Sequence, residues 1–200
     1  NFGHLNGIRV IENIVKTSLK IKIPILTFYT FSTENWKRPK REIGFLFKLI
    51  DHYFNKEIDN LVKSNIRINI IGNIKTLPKK VKARLIESMK RTIKCKKILV
   101  NLAINYGSKD EIIKAANAIR RKKAFFSIKN FESNFYTKGI PNPDILIRTG
   151  GKKRLSNFLL WQLAYTELYF IDKLWPDFKI ADYQKIINHF KKVKRNFGKI

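Results

Sequence analysis

The 200-residue sequence is poor in the features that build cross-linked or membrane-spanning proteins. Its one cysteine, Cys95, cannot form a disulfide within the chain, which excludes a disulfide-stabilised secreted scaffold. No apolar run reaches the roughly 20 residues that a membrane-spanning helix needs. Hydrophobic residues still make up 44% of the chain, enough for an ordinary core. We therefore expect a globular protein of a reducing compartment such as the cytoplasm.

Acidic residues are also scarce. The chain has 15 Asp and Glu against 42 Lys and Arg, which gives a formal net charge of +27. Such a charge favours an anionic partner, which leaves nucleic acid, an anionic membrane surface or a phosphorylated substrate open. Solvated surface lysines without a specific partner explain it as well. The basic residues are spread over nearly all of the predicted helices and form no stripe with interleaved aromatics, so we expect no nucleic-acid binding.

Helical and strand patterns alternate along the chain. Short apolar strands are predicted at 25–31, 66–71, 98–104, 144–148 and 168–171, and amphipathic helices at 5–21, 42–62, 78–93, 108–119, 158–165 and from 182 onwards. Ser108 with Glu111 forms a capping-box pattern, and Asp182 is predicted to cap the last helix. Apolar strands that alternate with helices indicate an α/β fold, with a mainly parallel sheet covered by helices on both faces. The sequence has no Ser/Gly/Pro linker, so we expect a single domain over residues 1–200.

Two loops are the first candidates for a site, because open α/β sheets bind ligands beyond the carboxyl ends of their strands. The loop after the first strand carries hydroxyl, amide and basic side chains from Ser32 to Arg38. Asn35 and Trp36 in this loop are equally consistent with a local turn former and a cap on the core.

The loop after the fourth strand has the composition of an anion site. Arg148 and Arg154 offer guanidinium forks that match phosphate oxygens, and Gly150 and Gly151 allow backbone N–H groups to approach an anion closely. Ser156 lies where the next helix is predicted to begin, which favours negative charge there. The alternative is a glycine turn among solvated basic residues.

Two single residues complete the candidates. His4 stands near the start of the first helix, where it either donates to phosphate or caps the helix. Glu167 begins an apolar strand, so its carboxylate needs a partner, which is an arginine or a divalent metal. A Mg²⁺ site normally uses one or two carboxylates plus substrate phosphates. Zinc spacing, a P-loop and a dinucleotide-binding glycine motif are all missing from the sequence.

The same segments resemble the cis-prenyltransferases, and in particular the bacterial enzymes of that family. The resemblance rests on Phe31-Ser32-Thr33-Glu34-Asn35-Trp36-Lys37-Arg38-Pro39 and on Ile147-Arg148-Thr149-Gly150-Gly151 with Arg154-Leu155-Ser156-Asn157-Phe158-Leu159-Leu160-Trp161-Gln162. It continues through Tyr165-Thr166-Glu167-Leu168-Tyr169-Phe170 and Leu174-Trp175-Pro176-Asp177-Phe178, and it includes Phe2-Gly3-His4 and Asn105-Tyr106-Gly107. It covers essentially the whole chain in order.

The resemblance implies a reaction and a set of roles. Isopentenyl diphosphate units would be added with cis double bonds to farnesyl diphosphate, giving a long-chain (undecaprenyl) diphosphate that serves as lipid carrier for cell-wall glycans. Mg²⁺ would assist departure of the allylic diphosphate, and the enzyme would be a homodimer that touches a membrane transiently to release product. By position, Asn35 would be catalytic and Glu167 a metal ligand. The substrate-binding positions would be His4, Ser32, Thr33, Glu34, Trp36, Arg38, Arg148, Arg154, Leu155 and Ser156.

Two departures from the family pattern reduce the activity expected of the chain as given. The pattern begins, upstream of Phe-Gly-His, with an Asp-Gly-Asn-Gly-Arg-Trp-type motif whose aspartate is the principal metal ligand. The sequence starts after that point, so we expect weak diphosphate binding and poor catalysis from this chain, and activity from a gene product that includes the segment. Histidine often precedes the arginine of the Gly-Gly loop in the family, whereas Lys153 stands here.

Three interpretations remain at this point. The first is an enzyme of prenyl chain elongation, in which the apolar helix 42–62 forms either a wall for the prenyl chain or a surface buried against the sheet and a dimer partner. The second is a non-catalytic subunit that stabilises an active synthase. The third is a basic nucleic-acid-binding domain. The first requires Arg38 and Arg148 to face a shared hollow at one rim of the sheet.

Overall fold

The computed structural model describes residues 2–196, without the side chains of Phe2 and His4. Backbone proximity divides the chain into a central unit, Ile21–Gly139, and a terminal unit made of Asn1–Lys20 and Ile140–Ile200. All strand pairs in the described residues are parallel and six α-helices accompany them, which confirms the mainly parallel α/β fold class. The single-domain interpretation stays a prediction.

The sheet of the central unit has three strands, β1 (Ile25–Ser32), β2 (Ile66–Ile71) and β3 (Ile98–Tyr106). Their order is β1-β3-β2, and both pairs are parallel, so all three carboxyl ends lie at one edge. The middle strand β3 is buried along nearly its whole length. This explains its mainly apolar sequence, because a parallel strand covered on both faces needs no polar alternation.

Four helices belong to the central unit: α2 (Lys40–Lys63), α3 (Lys79–Arg91), α4 (Ser108–Lys122) and α5 (Ile128–Glu132). The buried residues of α2 recur at helical spacing, at Ile43, Phe47, Phe54 and Ile58. Asp51 joins α2 to α3 through ion pairs with Lys80 and Arg84. These two bonds hold the pKa of the Asp51 carboxyl below its usual value despite some desolvation.

The terminal unit contains α1 (Phe2–Lys20), β4 (Ile145–Arg148), β5 (Glu167–Phe170) and α6 (Ile180–Phe190), and β4 and β5 form a parallel pair. A hydrogen bond of 2.7 Å between Ser18 Oγ and Tyr183 Oη joins α1 to α6. No helix among residues 2–196 is long and apolar enough to cross a bilayer.

Three local predictions are wrong. Residues 158–165 form successive turns in place of a helix, since Ser156, Asn157 and Leu159 adopt positive φ values of 48°, 61° and 45°. The N-cap of α4 is Gly107, and Ser108 is its first residue. Glu111 cannot reach back to the cap because its carboxylate points inward and accepts a bond from Tyr106 Oη.

The last helix also begins earlier than predicted. Lys179 occupies its N-cap, and Asp182 is its third residue. Asp182 still satisfies the helix start, because its carboxylate accepts the Lys179 backbone N–H at 3.0 Å. The Lys173 ammonium and that N–H hold the pKa of Asp182 below its usual value.

Candidate functional site

The loop after β1 folds as a short 3-10 turn, Thr33–Lys37, at the carboxyl edge of the central sheet. Asn35 fixes the turn, because its Oδ1 accepts the backbone N–H of Ser32 at 2.9 Å and its carbonyl accepts that of Arg38 at 3.0 Å. With Oδ1 occupied in this way, Nδ2 is the group that Asn35 offers as a donor to a ligand.

Trp36 is anchored at both ends of its ring system. Its indole packs edge-on against Phe31 and lies 5.6 Å from the ring of Phe47 on α2. Its Nε1–H donates to Asn105 Oδ1 at 2.8 Å. Trp36 is still 41% exposed, so part of the anchored side chain remains accessible from solvent.

Charged groups of this loop are partly paired. Arg38 Nη1 donates to Glu42 Oε1 at 2.8 Å, an exposed pair one turn apart on the chain. Thr33 Oγ1 lies 3.3 Å from Glu34 Oε2. Burial and, secondly, the negative charge of Glu34 raise the pKa of Tyr29 on β1 to about 12. The loop therefore presents hydroxyl, amide and guanidinium donors beside one carboxylate.

The second loop is organised by Arg148, the last residue of β4. Its Nη1 donates to Ser156 Oγ at 2.9 Å and also to the backbone carbonyl of Arg154. The structure thus brings Arg148, Arg154 and Ser156 together in one loop with Leu155, and their role in substrate binding stays a prediction. Leu155 is half-buried and its carbonyl accepts the N–H of Phe158, which closes the turn behind Ser156.

The Nε of Arg148 is buried and has no hydrogen-bond partner within residues 2–196. Burial, followed by the positive charge of Arg154, lowers the pKa of Arg148 from its usual value. A buried donor without an acceptor is costly, and two neighbouring guanidinium groups repel each other. An anion bound here would satisfy the donor and relieve the repulsion.

The glycines of this loop do not act as predicted. Gly150 N–H donates to the carbonyl of Lys173 at 2.8 Å, and Gly151 N–H donates to that of Ile171 at 3.0 Å. Both amides are therefore used to hold the segment after β5. The predicted helix N-terminus at Ser156 is likewise not present, because turns follow it. With both glycine amides occupied, the guanidinium groups and the Ser156 hydroxyl are the predicted donors of this loop that remain for an anion.

Glu167 lies at the opposite end of the β4–β5 pair from Arg148. The register pairs Glu167 with Ile145 and Arg148 with Phe170, which corresponds to about 10 Å along the strands. Burial and, secondly, the negative charge of the half-buried Glu167 raise the pKa of Tyr169. A second carboxylate, Asp172, stands beside the Gly-Gly turn, where a Cβ on Gly151 would lie 3.5 Å from its Oδ1.

No group of three or more His, Cys, Asp or Glu that could hold a metal occurs in the described part of the chain. The side chain of His4 falls outside the described residues, although its backbone belongs to α1. The two loops belong to different units, so the convergence of Arg38 with Arg148 stays a prediction.

Asn105 belongs to one of the motifs of the sequence, but no role was predicted for it. The structure shows that its side chain holds Trp36 and that its φ of 51° is left-handed. Glu111 was predicted only as part of a helix cap. In the structure its carboxylate is fully buried and accepts hydrogen bonds from Tyr106 Oη at 2.6 Å and from the Tyr136 N–H at 2.7 Å. The signal for Asn105 was its position directly at the carboxyl end of a buried strand.

Comparison with known proteins places these loops in a family context. Residues 1–198 match the family described as putative undecaprenyl diphosphate synthase. An isoprenyl transferase of Oceanobacillus iheyensis is 40% identical over 99% of this chain and 81% of its own. A probable undecaprenyl diphosphate synthase from Campylobacter jejuni superposes with a TM-score of 0.88 at 37% identity, over 97% of this chain and 92% of the other.

A plant structure gives a further match. Lavandulyl diphosphate synthase from Lavandula x intermedia, solved in complex with dimethylallyl diphosphate, superposes with a TM-score of 0.92 at 30% identity. The match covers 98% of this chain and 88% of the plant chain.

Proposed function

The chain belongs to the undecaprenyl diphosphate synthase family of prenyl-transferring enzymes, and from this premise we propose its substrates, product and residue roles. It elongates farnesyl diphosphate with isopentenyl diphosphate units, each added with a cis double bond, until the product is undecaprenyl diphosphate. In each step the carbon–oxygen bond to the leaving diphosphate breaks, a carbon–carbon bond to isopentenyl diphosphate forms, and a proton is lost.

The observation that carries the proposal is the unpartnered, buried Nε of Arg148. Together with Nη2 of the same side chain it forms a planar fork that suits two oxygens of a diphosphate, while Nη1 keeps its bonds within the loop. Arg154 adds a second positive charge, and Ser156 adds a hydroxyl that Arg148 holds in place. When the carbon–oxygen bond breaks, the electron pair stays on the diphosphate, and these fixed donors stabilise the added charge.

The loop after β1 contributes the remaining roles. Asn35 donates from Nδ2 to a substrate oxygen while Oδ1 keeps the turn folded. Diphosphate receives hydroxyl donors from Ser32 and Thr33, a guanidinium group from Arg38 and an imidazole from His4 on α1. Leu155 and the exposed part of Trp36 contact apolar substrate. Glu34 accepts a hydrogen bond at the same turn.

Helix α2 offers a wall for the prenyl chain. Beside its buried residues it carries a second apolar set that is only partly buried: Phe45, Leu46, Leu49, Ile50 and Tyr53. An apolar chain of growing length needs such a continuous surface, because each CH₂ removed from water stabilises the complex by about 0.8 kcal/mol.

We include Mg²⁺ as the cofactor. The donor set fits a hard cation that takes oxygen ligands, since Mg²⁺ usually binds one or two carboxylates together with substrate phosphates. Among residues 2–196 the protein offers single carboxylates and no cluster, and Glu167 would be its ligand. When bound, the metal acts as a Lewis acid on the departing diphosphate. The enzyme would act in the cytoplasm as a homodimer, with transient contact to a membrane when the lipid product leaves.

The test is incorporation of radiolabelled isopentenyl diphosphate into lipid by the gene product, with farnesyl diphosphate as primer and the products separated by length. We expect a product of undecaprenyl length, loss of turnover with a chelator and recovery with Mg²⁺. Arg148→Lys is expected to lower kcat/KM about a hundredfold, and Arg67→Lys, at an exposed site on β2, to leave it unchanged. Absence of incorporation in wild type, or full activity in Arg148→Lys, would contradict the proposal.

A further inference from the structure

The segment that follows α4, together with the first residue of α5, exposes three large apolar side chains within four positions. Phe125 is 82% exposed, Phe126 is 60% exposed and Ile128 is 67% exposed. We call these three residues the apolar tip. Single exposed hydrophobic residues are common on proteins, whereas a contiguous set marks a surface that contacts a partner.

The tip is exposed because its neighbours fill the core. Phe131 and Phe135 pack with Ala115 and Ile119 into a buried cluster between α5 and α4. Phe126 only touches the rim of this cluster, with its ring 5.7 Å from that of Phe131. Phe131 and Phe135 thus pack α5 against α4, whereas Phe125 and Phe126 lie outside the core.

Hydrogen bonds fix the backbone that presents the tip. Lys123 ends α4 with a left-handed φ of 49°, and Ala124 N–H donates to the carbonyl of Ile119 at 3.2 Å. Ser127 Oγ accepts the N–H of Asn130, and Asn130 Nδ2 donates to the carbonyl of Phe125 at 2.8 Å. The backbone of the apolar tip is therefore fixed by hydrogen bonds both where α4 ends and where α5 begins.

Exposed cations flank the tip on both sides: Arg120, Arg121, Lys122, Lys123 and Lys129. Residues 120–129 contain no acidic side chain, and the ion pairs found within residues 2–196 involve none of these five. Exposed phenylalanines between cations are the composition of segments that lie in the interface of an anionic bilayer.

We propose that the apolar tip inserts Phe125, Phe126 and Ile128 into the boundary between headgroups and acyl chains of an anionic membrane, with the flanking cations against lipid phosphates. The inference deepens the proposed function, since it assigns a surface to the membrane contact that a lipid product requires. A second copy of the chain fits this surface less well, because two identical cationic patches repel each other. A nucleic acid fits less well because Ile128 offers no flat ring for a base.

Sedimentation with vesicles tests the apolar part. The full chain is expected to bind phosphatidylcholine vesicles that contain about a third phosphatidylglycerol, and to bind less at high salt or without the anionic lipid. The triple variant Phe125→Ser, Phe126→Ser, Ile128→Ser should bind at least about tenfold more weakly. The matched control, Ile93→Ser, Ile113→Ser, Leu174→Ser, removes three apolar side chains exposed elsewhere and should bind like wild type.

A second pair of variants tests the charges. Each cation near an anionic surface strengthens binding about fivefold, so Arg121→Gln, Lys122→Gln, Lys129→Gln should weaken it strongly. Lys94→Gln, Lys96→Gln, Lys97→Gln removes the same charge from another exposed cluster and should have a much smaller effect. Phe125→Trp adds a tryptophan to the apolar tip. Lipids brominated on the acyl chain should quench its fluorescence emission when the tip is inserted.

Four results would overturn the proposal. They are absence of binding to anionic vesicles, equal loss in the serine variant and its control, a change of oligomeric state in the serine variant, and an oligonucleotide that displaces the vesicles at moderate salt. Prenyl transfer in detergent by the serine variant is expected to equal that of wild type. Loss of transfer in wild type would contradict the proposed function alone, because vesicle binding is measured without turnover.

Discussion

Asn105 and Trp36 are joined by a hydrogen bond of 2.8 Å from the indole Nε1–H to the amide Oδ1. The other end of the same amide donates to the carbonyl of Asn73 at 2.7 Å and to Thr76 Oγ1 at 2.9 Å. One buried side chain at the end of β3 therefore ties the loop after β1 to the segment after β2. We assign Asn105 a positioning role, because its side chain reaches the site through its bond to Trp36.

Removal of this link should reduce prenyl transfer more than stability alone explains. Asn105→Gly keeps the left-handed backbone and loses the amide, so we expect kcat/KM to fall about tenfold or more, with a shift in the Trp36 emission. In Trp36→Phe with Asn105→Gly the losses in kcat/KM should be less than additive, because both changes break the same bond between Trp36 and Asn105.

Asn101 provides the matched control for this prediction. It is also buried on β3, and its amide bonds Asn69 and Thr27 on the neighbouring strands, away from the loop. Asn101→Gly should lower stability by a similar amount without the change in kcat/KM. Equal loss of activity in both glycine variants would show that Asn105 has only a structural role.

Gly72 should tolerate no side chain. Its φ is 129°, and an added Cβ would lie 2.1 Å from the carbonyl oxygen of Ile104. We expect Gly72→Ala to lower the free energy of unfolding by about 3 kcal/mol or more, measured by urea denaturation. Gly44→Ala, at an open helical position, should instead raise it by about 0.5–1 kcal/mol. A loss of less than about 1 kcal/mol in Gly72→Ala would contradict the close approach of Gly72, directly after β2, to Ile104 on β3.

Glu111 should contribute mainly to stability. Glu111→Ala leaves the Tyr106 hydroxyl and the Tyr136 N–H without their acceptor in a buried place, which should cost about 3 kcal/mol in thermal or urea unfolding. Glu87→Ala removes an exposed partner of Arg84 and should cost less than about 1 kcal/mol. Similar costs for both variants would mean that the Tyr106–Glu111 bond contributes little.

Tyr29 should make stability fall in alkaline solution. Its pKa is raised from 10.0 to about 12 in the folded protein, so the unfolded chain loses its proton first. The contribution of Tyr29 is therefore complete below pH 10 and is lost as the pH rises towards about 12. Tyr29→Phe should show a smaller decline over this range, and its tyrosinate absorbance titration should lack one ionisation near pH 12. Identical profiles would contradict the buried, Glu34-facing position of Tyr29.

The strands and the two loops were predictable because buried parallel strands read as apolar runs and ligands gather where such strands end. The turns at residues 158–165 were not predictable. Phe158, Leu159 and Leu163 are buried in these turns, and the same apolar spacing is typical of a buried helix. Left-handed φ values at residues other than glycine leave little trace in composition. The bond between Trp36 and Asn105 joins residues 69 apart, which a local pattern does not reveal.

The central claim is that Arg148 binds diphosphate oxygens through its fork, and calorimetric titration with inorganic diphosphate tests it most directly. We expect wild type and Arg67→Lys to bind equally, and Arg148→Lys to bind at least about tenfold more weakly, because lysine keeps the charge but not the fork. Unchanged diphosphate affinity in Arg148→Lys would contradict the account.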